Sequence, residues 1–176
     1  MENRLKRKLA ADALTFCLGI NQARTPNIVM IAAAAGFDAI YVDLEHNPTS
    51  LETCSMLCVT AIAAGITPMV RIGSQDGHLA ARVLDGGAQG LMVPHINSAA
   101  EAEAVVTACR FPPIGHRSAG GAGPALAYQP IAQGGDQRIP QPRNPAARHA
   151  GNPRGDRAGR RHRRRPRHRR PAHRLQ

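Results

Sequence analysis

Over the first two-thirds of the chain, short continuous apolar runs alternate with amphipathic stretches, and the order repeats. Residues 14–20, 39–43, 67–71 and 89–93 lack the apolar–polar alternation of a half-exposed strand. They read as strands covered on both faces. The stretches between them read as helices with recognisable ends. Residues 26–35 form one closed by Gly36, and Thr49 or Ser50 caps a second that carries Glu52 in its first turn and ends at Gly65. Residues 78–84 form a third, closed by Gly86 and Gly87. Ser98 caps a fourth, with Glu101 three residues on as in a capping box, that runs to about Arg110 and stops before Pro112 and Pro113. Four strand–helix units in tandem predict an α/β fold with a parallel sheet under helices.

Two of the predicted strands deliver polar groups at their carboxyl ends. The run at 37–42 leads into Asp43-Leu44-Glu45-His46, and the run at 66–70 leads into Arg71. An α/β barrel builds its site from such strand ends at one mouth. A histidine, an arginine and acids that meet there suit the chemistry of carbonyl or carboxylate substrates. The structural alternative is a capped helix start at 46–49 and a surface arginine.

Charge changes the picture of where this domain ends. The formal net charge of +11 is carried by the last part of the chain: residues 1–130 hold nine Lys and Arg against ten Asp and Glu, whereas residues 131–176 hold fourteen Arg against two Asp. Both lysines, Lys6 and Lys8, lie near the start. A near-neutral apolar domain over residues 1–133 is therefore expected to meet a disordered basic tail over 134–176, which has too few large apolar residues to offset the entropy of ordering it. The basic start is followed by a run broken by Asp12, without a small-residue cleavage site, so it is not read as a leader. No stretch is long enough to span a membrane. Cys17, Cys54, Cys58 and Cys109 have neither disulfide nor zinc spacing. Cys54 and Cys58 share one helical face as expected buried thiols, and a cytoplasmic location follows. The glycine-rich segment 115–121 is not followed by a helix pattern as a phosphate-binding loop would be, and is expected to be an active-site loop of another kind.

Five separated motifs then fall in one order: Ala35-Gly36-Phe37-Asp38, Val42-Asp43-Leu44-Glu45-His46, Val70-Arg71, Gly90-Leu91-Met92-Val93-Pro94 and Phe111-Pro112-Pro113-Ile114-Gly115-His116-Arg117. This order resembles the HpcH/HpaI aldolase and citrate lyase family of metal-dependent 2-oxo acid aldolases, over roughly residues 5–133. The resemblance implies a (β/α)8 TIM barrel, of which the chain would hold the first four strand–helix units. It also implies homo-oligomeric assembly and reversible cleavage of a 4-hydroxy-2-oxo acid into pyruvate and an aldehyde. By the same resemblance His46 is the acid/base for the substrate hydroxyl, Asp43 orients it, Arg71 binds the pyruvate oxygen and steadies the enolate, and Glu45 supports them from behind. These residue types suit the roles. An imidazole titrates near neutrality, and a guanidinium keeps its charge beside a developing enolate.

The resemblance further implies a divalent ion, magnesium, manganese or cobalt, held by a Glu and an Asp after the fifth and sixth strands. The acids of this sequence after Gln133 are Asp136 and Asp156, without apolar neighbours, so metal ligands are not assigned. The genetic code accounts for the change of composition. Residues 149–155 can be encoded CAU GCU GGA AAC CCC CGA GGG, and one base later the same bases read Met-Leu-Glu-Thr-Pro-Glu. Carried through Leu175 with allowed codons, the shifted frame gives a strand ending in Glu-Thr, an amphipathic helix and a second strand ending in Ile-Gly-Ser. A one-base frameshift near residues 133–135 is therefore expected, with 134–176 out of frame and the chain inactive as it stands. The competing expectation is a basic arm that binds nucleic acid non-specifically through phosphates; the absence of lysine and aromatic residues in the tail weighs against it.

Overall fold

The computed structural model describes residues 3–73, 76–121, 123–126 and 128. The expected absence of strands beyond Gln133 lies outside the described residues. In chain order the elements are α1 (Arg4–Ala10), β1 (Cys17–Ile20), α2 (Asn27–Ala34), β2 (Ala39–Asp43), α3 (Leu51–Ala63), β3 (Thr67–Arg71), α4 (Gly77–Asp85), β4 (Gly90–Met92) and α5 (Ala99–Cys109), followed by a 3-10 turn at Pro124–Leu126. The strands form one parallel sheet in the order β1-β2-β3-β4. This is the expected α/β array, the first four units of a (β/α)8 barrel. Among the described residues, no helix is long and apolar enough to cross a membrane.

Alternation along the strands divides the sheet into two faces. Ile20, Ile40, Val42, Val70 and Leu91 point to the helix side and are buried with Val29, Leu57, Cys58 and Val83. Cys54 and Cys58 are buried free thiols, as expected from their shared face. The other face carries layers set by register. Gly19, Tyr41, Met69 and Gly90 form one layer, and Asp43, Arg71 and Met92 form the layer at the carboxyl end. Gly90 leaves room in its layer for the Met69 side chain, whose sulfur lies where a Cβ would stand.

Helix ends follow the local chemistry. Ser50 accepts the Thr53 N–H at 3.1 Å, which settles the choice between Thr49 and Ser50. Ser98 accepts the Glu101 N–H at 3.2 Å, while the Glu101 carboxylate reaches back to the Asn97 N–H at 2.7 Å, one residue earlier than the usual capping box. Gly36, at φ +87, closes α2, and the Phe37 N–H bonds back to the Ala32 carbonyl at 3.0 Å.

One element was not foreseen and one expectation needs correction. The basic start forms a helix, α1, which the pattern of apolar residues did not announce. It is held by polar contacts: Lys8 Nζ lies 2.7 Å and Arg4 Nε 3.0 Å from the fully buried Asp38 carboxylate. The Thr67 hydroxyl accepts the Leu5 N–H at 3.1 Å and donates to Asn3 Oδ1 at 3.1 Å. The first strand begins at Cys17 instead of residue 14, because Phe16 is turned towards Asp38. The Phe16 N–H bonds to the Asp38 carboxylate at 3.1 Å, and its carbonyl accepts the N–H groups of Asp38 and Ala39. Leu14 and Phe16 are left exposed.

The hydrogen bond from Lys8 holds the Asp38 carboxyl below the usual aspartate range, against the raising effect of burial. A depressed folded-state value stabilises the protein above the unfolded value of about 3.9 and loses that contribution as pH falls through it. Asp38→Asn is therefore predicted to cost about 2 kcal/mol at neutral pH, below the roughly 3–5 kcal/mol of a broken fully buried pair because Lys8 and Arg4 are partly exposed. The difference between variant and parent should shrink as pH is lowered below about 4. Urea melts across pH check both.

Candidate active site

Asp43 closes β2 and Arg71 closes β3, and the register makes them direct Cα partners. Their side chains meet as a fork: Arg71 Nε donates to Asp43 Oδ1 at 2.9 Å and Arg71 Nη2 to Asp43 Oδ2 at 2.7 Å. The same carboxylate organises the turn that follows. Asp43 Oδ1 accepts the N–H groups of Glu45 at 2.9 Å and His46 at 3.4 Å, and Oδ2 accepts Asn47 Nδ2 at 2.8 Å. One buried carboxylate thus ties the β2–α3 loop to β3. The Arg71 hydrogen bond, offset by burial and helped by the two backbone donors, drives the Asp43 carboxyl far below the ordinary carboxylate range. The Asp43 partner raises the Arg71 guanidinium in turn. Both groups stay charged at any working pH.

Glu45 sits at the centre of the mouth. Its side chain is 9% exposed, with Oε2 3.1 Å from Arg71 Nη1 and 3.6 Å from His46 Nε2, and Oε1 3.1 Å from His95 Nε2. The Arg71 contact is an ion pair without hydrogen-bond geometry, since Oε2 lacks an aligned donor among the described residues. The loop after β3 approaches closely here: a Cβ on Gly73 would lie 3.3 Å from the Glu45 Cα. Beneath the guanidinium lies the Tyr41 ring, 5.8 Å from Arg71 Cζ to its centroid, and the Tyr41 hydroxyl reaches the Met92 sulfur at 3.3 Å. Burial raises the Tyr41 phenol.

His46, Arg71, Asp43 and Glu45 therefore share one end of the sheet. The His46 ring is 67% exposed and faces Glu45, whereas Asp43 reaches only the His46 backbone N–H. His95 was not singled out from sequence. It lies three residues beyond β4, as His46 lies three beyond β2, and that repeated spacing after a strand end was the available signal. Its backbone takes a left-handed φ of +58, which turns the ring towards Glu45.

The segment 115–121 does not join this mouth where its contacts are described. The His116 and Arg117 N–H groups bond to Thr107 and Arg110 carbonyls, and the buried Arg117 guanidinium stacks on Phe111 and pairs with Asp85. Thr107, Arg110 and Asp85 mark the carboxyl ends of α5 and α4, which lie at the amino ends of the strands. The expectation of an active-site loop is corrected to an anchor at the opposite end of the sheet.

The side chains at the mouth do not fit a divalent ion. Asp43 is committed to Arg71 and to three further donors, and Glu45 to a guanidinium and two imidazoles. Among the described residues, no group of three or more His, Cys, Asp or Glu is arranged to hold a metal.

Comparison with known proteins places this mouth in context. A 4-hydroxy-4-methyl-2-oxoglutarate aldolase of Chaetomium globosum is 41% identical over 133 residues, covering 75% of this chain and 49% of that protein. A hydroxypyruvate/pyruvate aldolase of Pseudomonas aeruginosa is 39% identical over 121 residues, covering 68% and 44%. The crystal structure of an HpcH/HpaI aldolase from Desulfitobacterium hafniense superposes with a TM-score of 0.69 at 34% identity, covering 74% of this chain and 50% of that one. The chain spans about half the length of the curated relatives it matches. The sequence model of the HpcH/HpaI aldolase/citrate lyase family matches residues 20–139, a few residues past the boundary expected at Gln133. That match takes in three of the four strands whole and every residue of the mouth, and by it the chain belongs to the HpcH/HpaI aldolase/citrate lyase family.

Proposed function

We propose that residues 1–133 are the enolate-handling half of an aldolase that cleaves a 4-hydroxy-2-oxo acid into pyruvate and an aldehyde. The observation that carries this reading is the fork of Asp43 on Arg71, which holds an oriented guanidinium at the mouth with Glu45 between it and His46. In the reaction the substrate hydroxyl loses its proton, the C3–C4 bond breaks, and its electron pair becomes the enolate of pyruvate, which is then protonated at C3. Arg71 suits the oxygen on which that charge develops, because its plane is set before substrate arrives. His46 suits the proton at the hydroxyl, being an exposed imidazole held at the mouth against Glu45. Asp43 acts on Arg71 and on the loop, and Glu45 positions both His46 and Arg71.

Relatives named as 4-hydroxy-4-methyl-2-oxoglutarate and hydroxypyruvate/pyruvate aldolases support the class of substrate. The four free cysteines fit a reducing, cytoplasmic setting. A divalent ion belongs to the reading as a property of the family, and the acids to hold it are those of the shifted frame after Gln133. Residues 134–176 are on this account out of frame, and the sequence as it stands releases little pyruvate. Nucleic-acid binding by the Arg-rich residues gains no support from the relatives.

A coupled pyruvate assay on two proteins tests this. The first is the 176-residue chain; the second has the frame restored near codon 134 and is extended to the length of its relatives. The restored protein should release pyruvate with added magnesium, manganese or cobalt and lose activity with a chelator. Equal activity of the two would contradict the account.

In the restored protein Arg71→Lys should lower kcat by on the order of a hundredfold, since an ammonium cannot reproduce the fork and loses the set orientation. Glu45→Gln, which keeps shape and removes the charge shared by His46 and Arg71, should shift the pH–rate profile; an unmoved profile would remove Glu45 from the proposed machinery.

A further inference from the structure

The described chain leaves both edges of its sheet open. Among the described residues β1 and β4 each pair on one side only. Unpaired parallel edges seek a strand. The helices beside those edges are apolar and poorly covered. Apart from Glu101, Glu103 and Thr107, α5 is built of Ala, Val and Cys, yet none of its residues is buried. Past Asn27, α2 is wholly apolar, but it buries only Val29 and Ala32 and leaves Met30 and Ile31 more than half exposed. A helix that is apolar all round belongs in an interior. The helix-free face of the sheet is open as well, with Cys17 exposed and Met92 47% exposed.

We propose that two copies of this chain close an eight-stranded barrel on each other, the free edge of β4 in one copy pairing with the free edge of β1 in the other. Four features point to a second copy as the occupant. The strand each edge needs must run parallel, and all four strands here run the same way. A half-turn about the barrel axis satisfies β4 against β1 at both seams with one operation. The aldolase structure that superposes on this chain has half of its length outside the superposition, room for a second set of four strands. Each seam brings α5 of one copy beside α2 of the other, covering the two helices that are left exposed. The contact lies inside the barrel and differs from assembly of finished barrels. Because the rotation keeps strand direction, both copies of the Asp43–Arg71 fork open at the same mouth. None of this depends on the catalytic roles proposed for the residues of the mouth.

Light scattering on the 176-residue chain over a wide concentration range is the test, with two charge variants at exposed positions. The chain should run as one species of twice 18.8 kDa. Ile31→Lys and Val106→Glu should each raise the dimer dissociation constant by about tenfold or more, with circular dichroism unchanged, because each buries an unpaired charge at a seam. The double variant should regain at least part of the lost affinity, since each seam then sets a lysine near a glutamate. A parent chain that stays monomeric, its own residues 129–176 or nothing covering the edges, would overturn the proposal. So would an open ladder of larger species, single variants without effect, or a double variant weaker than either single one.

Discussion

The fork between Arg71 and Asp43 is the contact on which the mouth depends. It joins side chains from Cα-paired residues at the ends of adjacent parallel strands, so the sheet register itself sets its geometry. A shift of one residue in either strand would send one partner to the helix side of the sheet. The same Asp43 oxygens then fold the loop that carries Glu45 and His46. Glu45 in turn collects Arg71, His46 and His95 from three strand ends. Remove the Asp43 charge and the guanidinium, the loop and the hub lose their common reference.

Much of this was legible in the sequence, and the reasons it was legible are physical. Continuous apolar runs mark strands covered by helices, and the helix ends carry Ser50, Ser98 and Gly36 where backbone groups need partners. Asp43 and Arg71 stood out because a charged residue at the end of such a run must meet another polar group. What escaped was held by contacts far apart in sequence. Helix α1 is short and basic and has no apolar period; it is fixed by the pairing of Lys8 and Arg4 with Asp38, some thirty residues on. His95 sits on a loop in a left-handed conformation, where neither strand nor helix pattern reaches. Arg117 looked like part of a glycine-rich active-site loop, yet its burial against Phe111 and Asp85 anchors that segment at the other end of the sheet.

The four-unit array holds a buried hydrophobic layer between sheet and helices, from Ile40 and Val42 to Leu57 and Val83, and an open layer on the helix-free face of the sheet. That asymmetry explains how half the length of its relatives retains a defined core and a defined mouth. The outer layer is built within successive strand–helix units, whereas the inner layer and the two edges need strands from elsewhere. The carboxylates present at the mouth are all engaged in holding Arg71 and the histidines, so chemistry that needs a metal-bound oxo acid needs acids from beyond the described residues.

The most direct measurement of the central claim is a carbon-13 NMR titration of the Asp43 carboxyl, recorded with the Nε–H resonance of Arg71. The account predicts that Asp43 stays ionised well below the ordinary aspartate value of about 3.9, because the Arg71 fork holds it charged. The Arg71 Nε–H should stay protected from exchange over the same range and lose that protection in Asp43→Asn. Titration of Asp43 near the ordinary value, or an Arg71 resonance unchanged by the substitution, would contradict the fork as the organising contact of this mouth.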